Sequence, residues 1–187
     1  DNIVERSTIH NNGTIGNGAG IIFAGTPRPI IRNNLIYANP SDGIQALSGI
    51  GDVDDAKIFN NTITGNGGKA VNITDANSSG DAVTNNIVYG NTGGDISLSG
   101  TGHTQTTNLT TDPSFTNAAG ADFTLQSGSA ARDTGTNLSG DGVTTDYLGT
   151  SRPQNGVFDI GAYEYLVASR AAGVSGVVRP SGTVRVQ

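Results

Sequence analysis

Few residues in this chain could do chemistry, and their types narrow what that chemistry is. There is no Cys, which excludes disulfides, thiolate zinc sites and cysteine nucleophiles. Lys57 and Lys69 are the only lysines, and His10 and His103 the only histidines. Two isolated histidines do not make a Ser-His-Asp set. Lys57 follows three carboxylates, Asp52, Asp54 and Asp55, which could hold Ca2+ through oxygen ligands. The plainer reading, an acidic loop with one counter-charge, weighs more. Asp54 and Asp55 are adjacent, so on a strand they face opposite sides and form no acid–base pair. A second oxygen-rich stretch runs from Asp141-Gly142 to Asp146, with Asn137 nearby. It lacks the EF-hand spacing and its closing Glu.

The elements that must position these residues come from a repeat. Four segments align: Val4-Glu5-Arg6-Ser7-Thr8-Ile9, Ile31-Arg32-Asn33-Asn34-Leu35-Ile36, Ile58-Phe59-Asn60-Asn61-Thr62-Ile63 and Val83-Thr84-Asn85-Asn86-Ile87-Val88. Position four reads Ser7, Asn34, Asn61, Asn86, and a second row reads Asn12, Asn39, Asn66, Asn91. A shorter fifth unit runs through Gln105-Thr106-Thr107-Asn108-Leu109. Each unit holds short runs of alternating polarity, which put one face inward, separated by Asn or Gly, which tolerate sharp left-handed corners. A unit this short cannot bury its apolar face alone, so neighbouring units must stack. Equivalent Asn side chains then lie above one another as amide ladders. The spacing predicts an all-β parallel β-helix of about five coils. The preference for right-handed crossovers gives its hand.

Composition agrees. Of 187 residues, 28 are Gly and 19 are Asn, a mixture that weakens helix interiors. The low charge and the Ile, Val and Thr content argue against disorder. A net charge of −6 with ten basic residues argues against general nucleic-acid binding. No apolar run reaches the ~20 residues of a membrane helix. The chain lacks Met and its first coil has no cap sequence, so it reads as a piece of a longer β-helix.

The texture changes at residue 112, dividing the chain into coils (1–111), a cap region (112–165) and an Arg/Val/Gly tail (166–187). The cap region carries Asp112-Pro113-Ser114-Phe115, a Phe123-Thr124-Leu125 strand, Gly149 with Arg152-Pro153, and Asp159-Ile160-Gly161-Ala162-Tyr163-Glu164. In these four ordered motifs the chain resembles the C-terminal part of bacterial right-handed β-helix proteins of the choice-of-anchor Q type. It departs at Ser129-Ala130, where that family has Ser-Pro. The resemblance implies bacterial secretion or cell-surface display and no single reaction. An open β-helix end needs cover, so Phe115, Phe123, Phe158, Tyr163 and Tyr165 are expected to plug it. Arg152 is expected to pair with Asp133, Asp159 or Glu164. The tail has three Arg, no acid and strand-like Val residues, and suits pairing with a neighbouring chain.

Three functional readings follow. The first is a secreted or cell-surface β-helix protein with a structural, adhesive or assembly role and no catalytic site of its own. Its partner would be another copy or a longer parent β-helix, joined through the open coil end and the tail. The second is the C-terminal part of a lyase or hydrolase acting on acidic polysaccharide. β-Helix lyases resemble one another in using a Lys or Arg base, often with Ca2+, and Lys57 is the thin supply here. The third is a carbohydrate-binding module. With no Trp, its platforms would be Tyr37 and Tyr89, which recur in register at equivalent corners.

Overall fold

A computed structural model of the chain describes residues 2–13, 18–49, 51 and 53–167. Strands β1 (Ile3–Glu5), β2 (Thr8–His10) and β3 (Ile21–Phe23) form the first coil. The second holds β4 (Ile30–Arg32), β5 (Leu35–Tyr37) and β6 (Ile44–Ala46), and the third β7 (Lys57–Phe59), β8 (Thr62–Thr64) and β9 (Lys69–Ile73). The fourth holds β10 (Ala82–Thr84), β11 (Ile87–Tyr89) and β12 (Gly94–Leu98), and β13 (Thr104–Thr106) opens a fifth. Each side of the coils stacks into a parallel sheet. Sheet A is β1-β4-β7-β10-β13, sheet B is β2-β5-β8-β11 and sheet C is β3-β6-β9-β12. The result is a β-solenoid of about four turns. The fifth coil continues only as far as a bridge from Leu109 to Ile87.

The core follows from the alternation. Ile31, Ile58 and Val83 stack inward from sheet A, Ile36, Ile63 and Val88 from sheet B, and Ile44 and Val71 from sheet C. All are essentially fully buried, each stabilising by ~1.5–3 kcal/mol. Between sheets A and B every coil turns on one left-handed residue: Arg6, Asn33, Asn60, Asn85 and Thr107, with φ from 47° to 59°. Asn adopts this conformation at little cost. The next residue turns inward and builds the ladder. Asn34 Nδ2 donates to Asn61 Oδ1 at 2.9 Å, Asn61 to Asn86 at 2.9 Å, and Asn86 to Asn108 at 3.0 Å. A second ladder links Asn39, Asn66 and Asn91 at the next corner, with both steps 2.9 Å.

Residues 112–167 do not plug the end of the coils. After a hairpin of β14 (Phe115–Asn117) and β15 (Asp122–Leu125), the chain lies along the outside of sheets A and B. It reaches from Thr107 and Asn85 in the last coils, through Thr136, to Thr8 in the first, through Tyr147. The reason is visible in the strands. Leu35 and Ile87 point outward from sheet B and Phe59 from sheet A, so these sheets have two apolar faces. Phe115, Phe123, Leu125 and Ile160 cover Leu35 and Ile87, while Leu138, Val143 and Phe158 cover Phe59. The expected plug is therefore a flank brace.

Candidate functional site

Two polar constellations and one cleft stand out. The first is the row of left-handed corner residues, whose side chains point outward and clamp the flank segment. Asn33 Nδ2 donates to the Thr145 carbonyl at 2.9 Å and Asn60 Nδ2 to the Asp159 carbonyl at 3.0 Å. Asn85 Nδ2 donates to the Thr136 carbonyl at 2.7 Å and its Oδ1 accepts from Thr136 N at 2.8 Å.

The second is a buried charge network over that row. Arg152 Nη1 donates to Glu164 Oε1 at 2.5 Å and to the Asp159 carbonyl at 3.1 Å, and Nη2 to the Gly161 carbonyl at 2.7 Å. Of the three acids expected to pair with Arg152, Glu164 does so directly. Asp159 contributes its backbone carbonyl, and its carboxylate accepts from Asp133 N and Tyr165 N. The carboxylate of Asp133 faces Arg132 instead, at 3.3 Å. Burial pushes the carboxyls of Glu164 and Asp159 up and the Arg152 guanidinium down; the pairing with Glu164 opposes that shift in Arg152. Tyr163, in the same layer, is pushed up to about 12, mainly by desolvation.

The acids that suggested a metal are spread among other duties. Asp54 accepts from Ser79 N at 2.9 Å and Ser79 Oγ at 2.8 Å, and Asp55 is an exposed corner residue with φ 54°. Asp52 lies outside the described residues. No group of three or more His, Cys, Asp or Glu positioned for a metal occurs among the described residues. Among the described residues, Lys57 pairs across sheet A with Asp141 of the flank segment, at 2.6 Å, rather than with Asp54 or Asp55. The oxygen-rich Asp141–Asp146 stretch is likewise committed: Asp146 accepts from the N–H groups of Leu148, Thr150 and Glu164. His103 sits against buried Asp81, with Nδ1 3.1 Å from Oδ2. Tyr37 stacks on His10 (4.8 Å between centroids) and meets Phe123 edge-on (4.9 Å). Tyr37 and Tyr89 are both half-buried against the flank cluster.

The cleft lies on the outer face of sheet A. Its floor is the row Ile30, Lys57 and Ala82, in register on β4, β7 and β10 and outward because Ile31, Ile58 and Val83 face in. One wall is the corner stack of Arg28, Asp55 and Gly80, all left-handed, at φ 53°, 54° and 72°. Backbone bonds fix that stack: Arg28 N to the Asp54 carbonyl at 2.7 Å and Asp55 N to the Ser79 carbonyl at 2.8 Å. Beside it, Asp141 holds Lys57, and the Gly142 carbonyl accepts from Arg32 Nη1 at 2.8 Å. The cleft is open to solvent and has a volume of about 300 Å³.

A family model described as a right-handed β-helix region matches residues 1–112. The chain belongs to the right-handed β-helix family. No curated protein and no solved structure matches it. The family match ends where the flank brace begins, so it covers the coils and not the Arg152 network. No helix among the described residues of this β-helix is long and apolar enough to cross a membrane. Two parts of the site escaped sequence reasoning. The spacing assigns the ladder to the second Asn of each Asn-Asn pair but gives no role to the first, which clamps the flank. The Arg28 wall left no signal, because nothing in the local sequence marks Arg28 as a corner residue.

Proposed function

We propose that this β-helix is a non-catalytic, secreted or cell-surface structural protein of bacterial type, which joins other copies through the last coil. The observation that carries this reading is the exposed edge there. All three residues of β13 are exposed, and Ile96 and Leu98 are only half-buried, while the chain turns away at Asp112-Pro113 to brace the flank. An unpaired parallel edge is a template for another strand. The tail suits it: residues 168–187, outside the described residues, carry Val184 and Val186 in alternation, three Arg and no acid. Asp95 and the apolar Ile96 line the open coil end. The commitment of Asp54, Asp81 and Asp146 to hydrogen bonds within the fold supports a scaffold over a catalyst. The likeness of the flank motifs to the choice-of-anchor Q type supports surface display.

Light scattering of the full chain across a concentration series tests the assembly. Concentration-dependent association that Gln105→Pro abolishes, with the monomer still folded, is expected. A monomer at every concentration overturns it. Release of unsaturated or reducing ends from acidic polysaccharides, lost in Lys57→Ala, would overturn the non-catalytic part.

A further inference from the structure

We propose that sheet C is one strand short and takes that strand from a second copy of this chain, whose Val184-Arg185-Val186 adds in parallel to β12. The inference rests on the assembly reading above and deepens it, by naming the acceptor strand, the donor segment and their register.

The vacancy follows from the strand count. Sheet A has five strands, and sheet B has four with the Leu109 bridge as a fifth level. Sheet C stops at four, because the chain leaves the coil path at Asp112-Pro113 and Phe115–Asn117 pairs antiparallel with Asp122–Leu125 instead. Among the described residues β12 pairs with β9 alone, so its other edge presents a row of backbone N–H and C=O groups to a further strand. Beside that edge lies an open hollow of about 400 Å³, lined by Asp95 and Ile96 of β12 and by Gln105, Thr106, Asn108 and Thr110 of the fifth coil. Ile96 and Leu98 face the core side yet are only half-buried, whereas Val71 and Ile73, their partners one coil up, are fully buried.

The filled levels define what fits the empty one. Each supplies two inward apolar residues two positions apart: Ile21 and Phe23, Ile44 and Ala46, Val71 and Ile73, Ile96 and Leu98. β12 reads Gly94-Asp95-Ile96-Ser97-Leu98, and the tail contains Gly182-Thr183-Val184-Arg185-Val186, which matches it as Gly, polar, aliphatic, polar, aliphatic. The other apolar runs of the tail do not match. In Val177-Val178-Arg179-Pro180, either Val brings Arg or Pro inward with it, and Val174 is followed two residues later by Gly176. In the matching register Val184 stacks on Ile96 and Val186 on Leu98. Arg185 then lies on the outer face with Asp95 and Ser97. Asp95 is exposed and forms no ion pair among the described residues, so Arg185 brings it a counter-charge.

The place where the tail sets out favours a second copy. Leu166 shares a groove with Leu148, and the adjacent Tyr147 bonds Thr8 of the first coil at 2.6 Å. That point is four coil spacings of ~4.8 Å from the vacancy, on the flank rather than on sheet C. A neighbouring copy presents its tail without that return path. Each copy then carries one donor and one acceptor, so the contact is heterologous and grows into chains.

Two full-length variants test it. Val184→Asp/Val186→Asp puts charges where the core needs aliphatics. By light scattering it should associate about tenfold or more weakly than wild type, with the same melting temperature. The chain has no Cys, so Asp95→Cys/Thr183→Cys introduces its only thiols, at positions that face each other in the proposed register. Mild oxidation should link chain to chain on a non-reducing gel. Association that persists unchanged in Val184→Asp/Val186→Asp overturns this donor and leaves the assembly reading standing. A disulfide closed within one chain shows that the chain's own tail fills the vacancy and overturns the second copy as its source. A wild-type monomer at every concentration overturns both.

Discussion

In the middle of the ladder, the Asn61 side chain does four jobs. Asn61 Oδ1 accepts from Asn34 N and Asn34 Nδ2, while its own Nδ2 donates to the Ile31 carbonyl and to Asn86 Oδ1. Asn61→Ala strands all of these partners in a dry interior. With ~1–3 kcal/mol for each buried group left unsatisfied, the loss should be several kcal/mol, read by urea unfolding. Asn108 sits at the end of the same ladder and is partly open to water, so Asn108→Ala should cost less. A second residue-scale effect concerns acid. Burial holds the Asp81 carboxyl above its ordinary 3.8, despite hydrogen bonds from Ser78 and Ala56. The folded protein therefore takes up this proton more readily than the unfolded chain. The contribution is fully present below about 3.8 and is lost as pH rises through the raised folded value. The melting temperature of wild type minus that of Asp81→Asn should grow as pH falls from 7.5 to 4.5. A flat or reversed difference would contradict the assignment.

At the scale of elements, the flank segment stands on Arg152 and Glu164. Removing one partner of a buried pair leaves the other uncompensated, at ~3–5 kcal/mol. Arg152→Ala should therefore speed hydrogen exchange across 113–165 while the amides of β5 and β8 stay protected. Gly161 gives a steric test of the same joint. It has φ +92°, and an added Cβ would come 2.5 Å from Ile87 Cδ1. Gly161→Ala should loosen the flank as Arg152→Ala does, without changing any charge. How far these elements can be read from sequence depends on how local their cause is. The coils are legible because period and Asn spacing are local signals that stacking repeats. An ion pair for Arg152 is legible in the sequence, but Glu164 as its partner is not, because Asp133, Asp159 and Glu164 all qualify there. The flank position is not, because a plug and a brace need the same aromatic residues. The deciding signal was Leu35-Ile36 and Ile87-Val88: paired aliphatics that break alternation announce a sheet covered on both faces. Arg28 and Lys57 meet only through stacking of separate coils, so no sequence window contains their cleft.

For the whole molecule, the brace changes how the solenoid unfolds. Coils that touch only their neighbours can fray one by one. Here one segment touches residues from Thr8 to Thr107 and ties the coils into one unit. All five tyrosines lie in or against the cluster between flank and sheet B. Tyrosine fluorescence therefore reports the brace, and far-UV circular dichroism reports the coils. The two should melt together in wild type and separate in Arg152→Ala, with fluorescence changing first. Coincident curves in the variant would show that the brace does not unify the coils.

The same lateral arrangement imposes an order on biosynthesis. A ribosome releases the coils first and the residues that cover them last. Ile160, which helps cover Leu35, follows it by 125 residues (160 − 35). At ~5–20 residues per second, Leu35, Phe59 and Ile87 spend seconds to tens of seconds as an uncovered oily strip on a nascent chain. A chaperone that recognises short apolar stretches has its target during that interval, and loses it when Asp159-Ile160-Gly161-Ala162 docks.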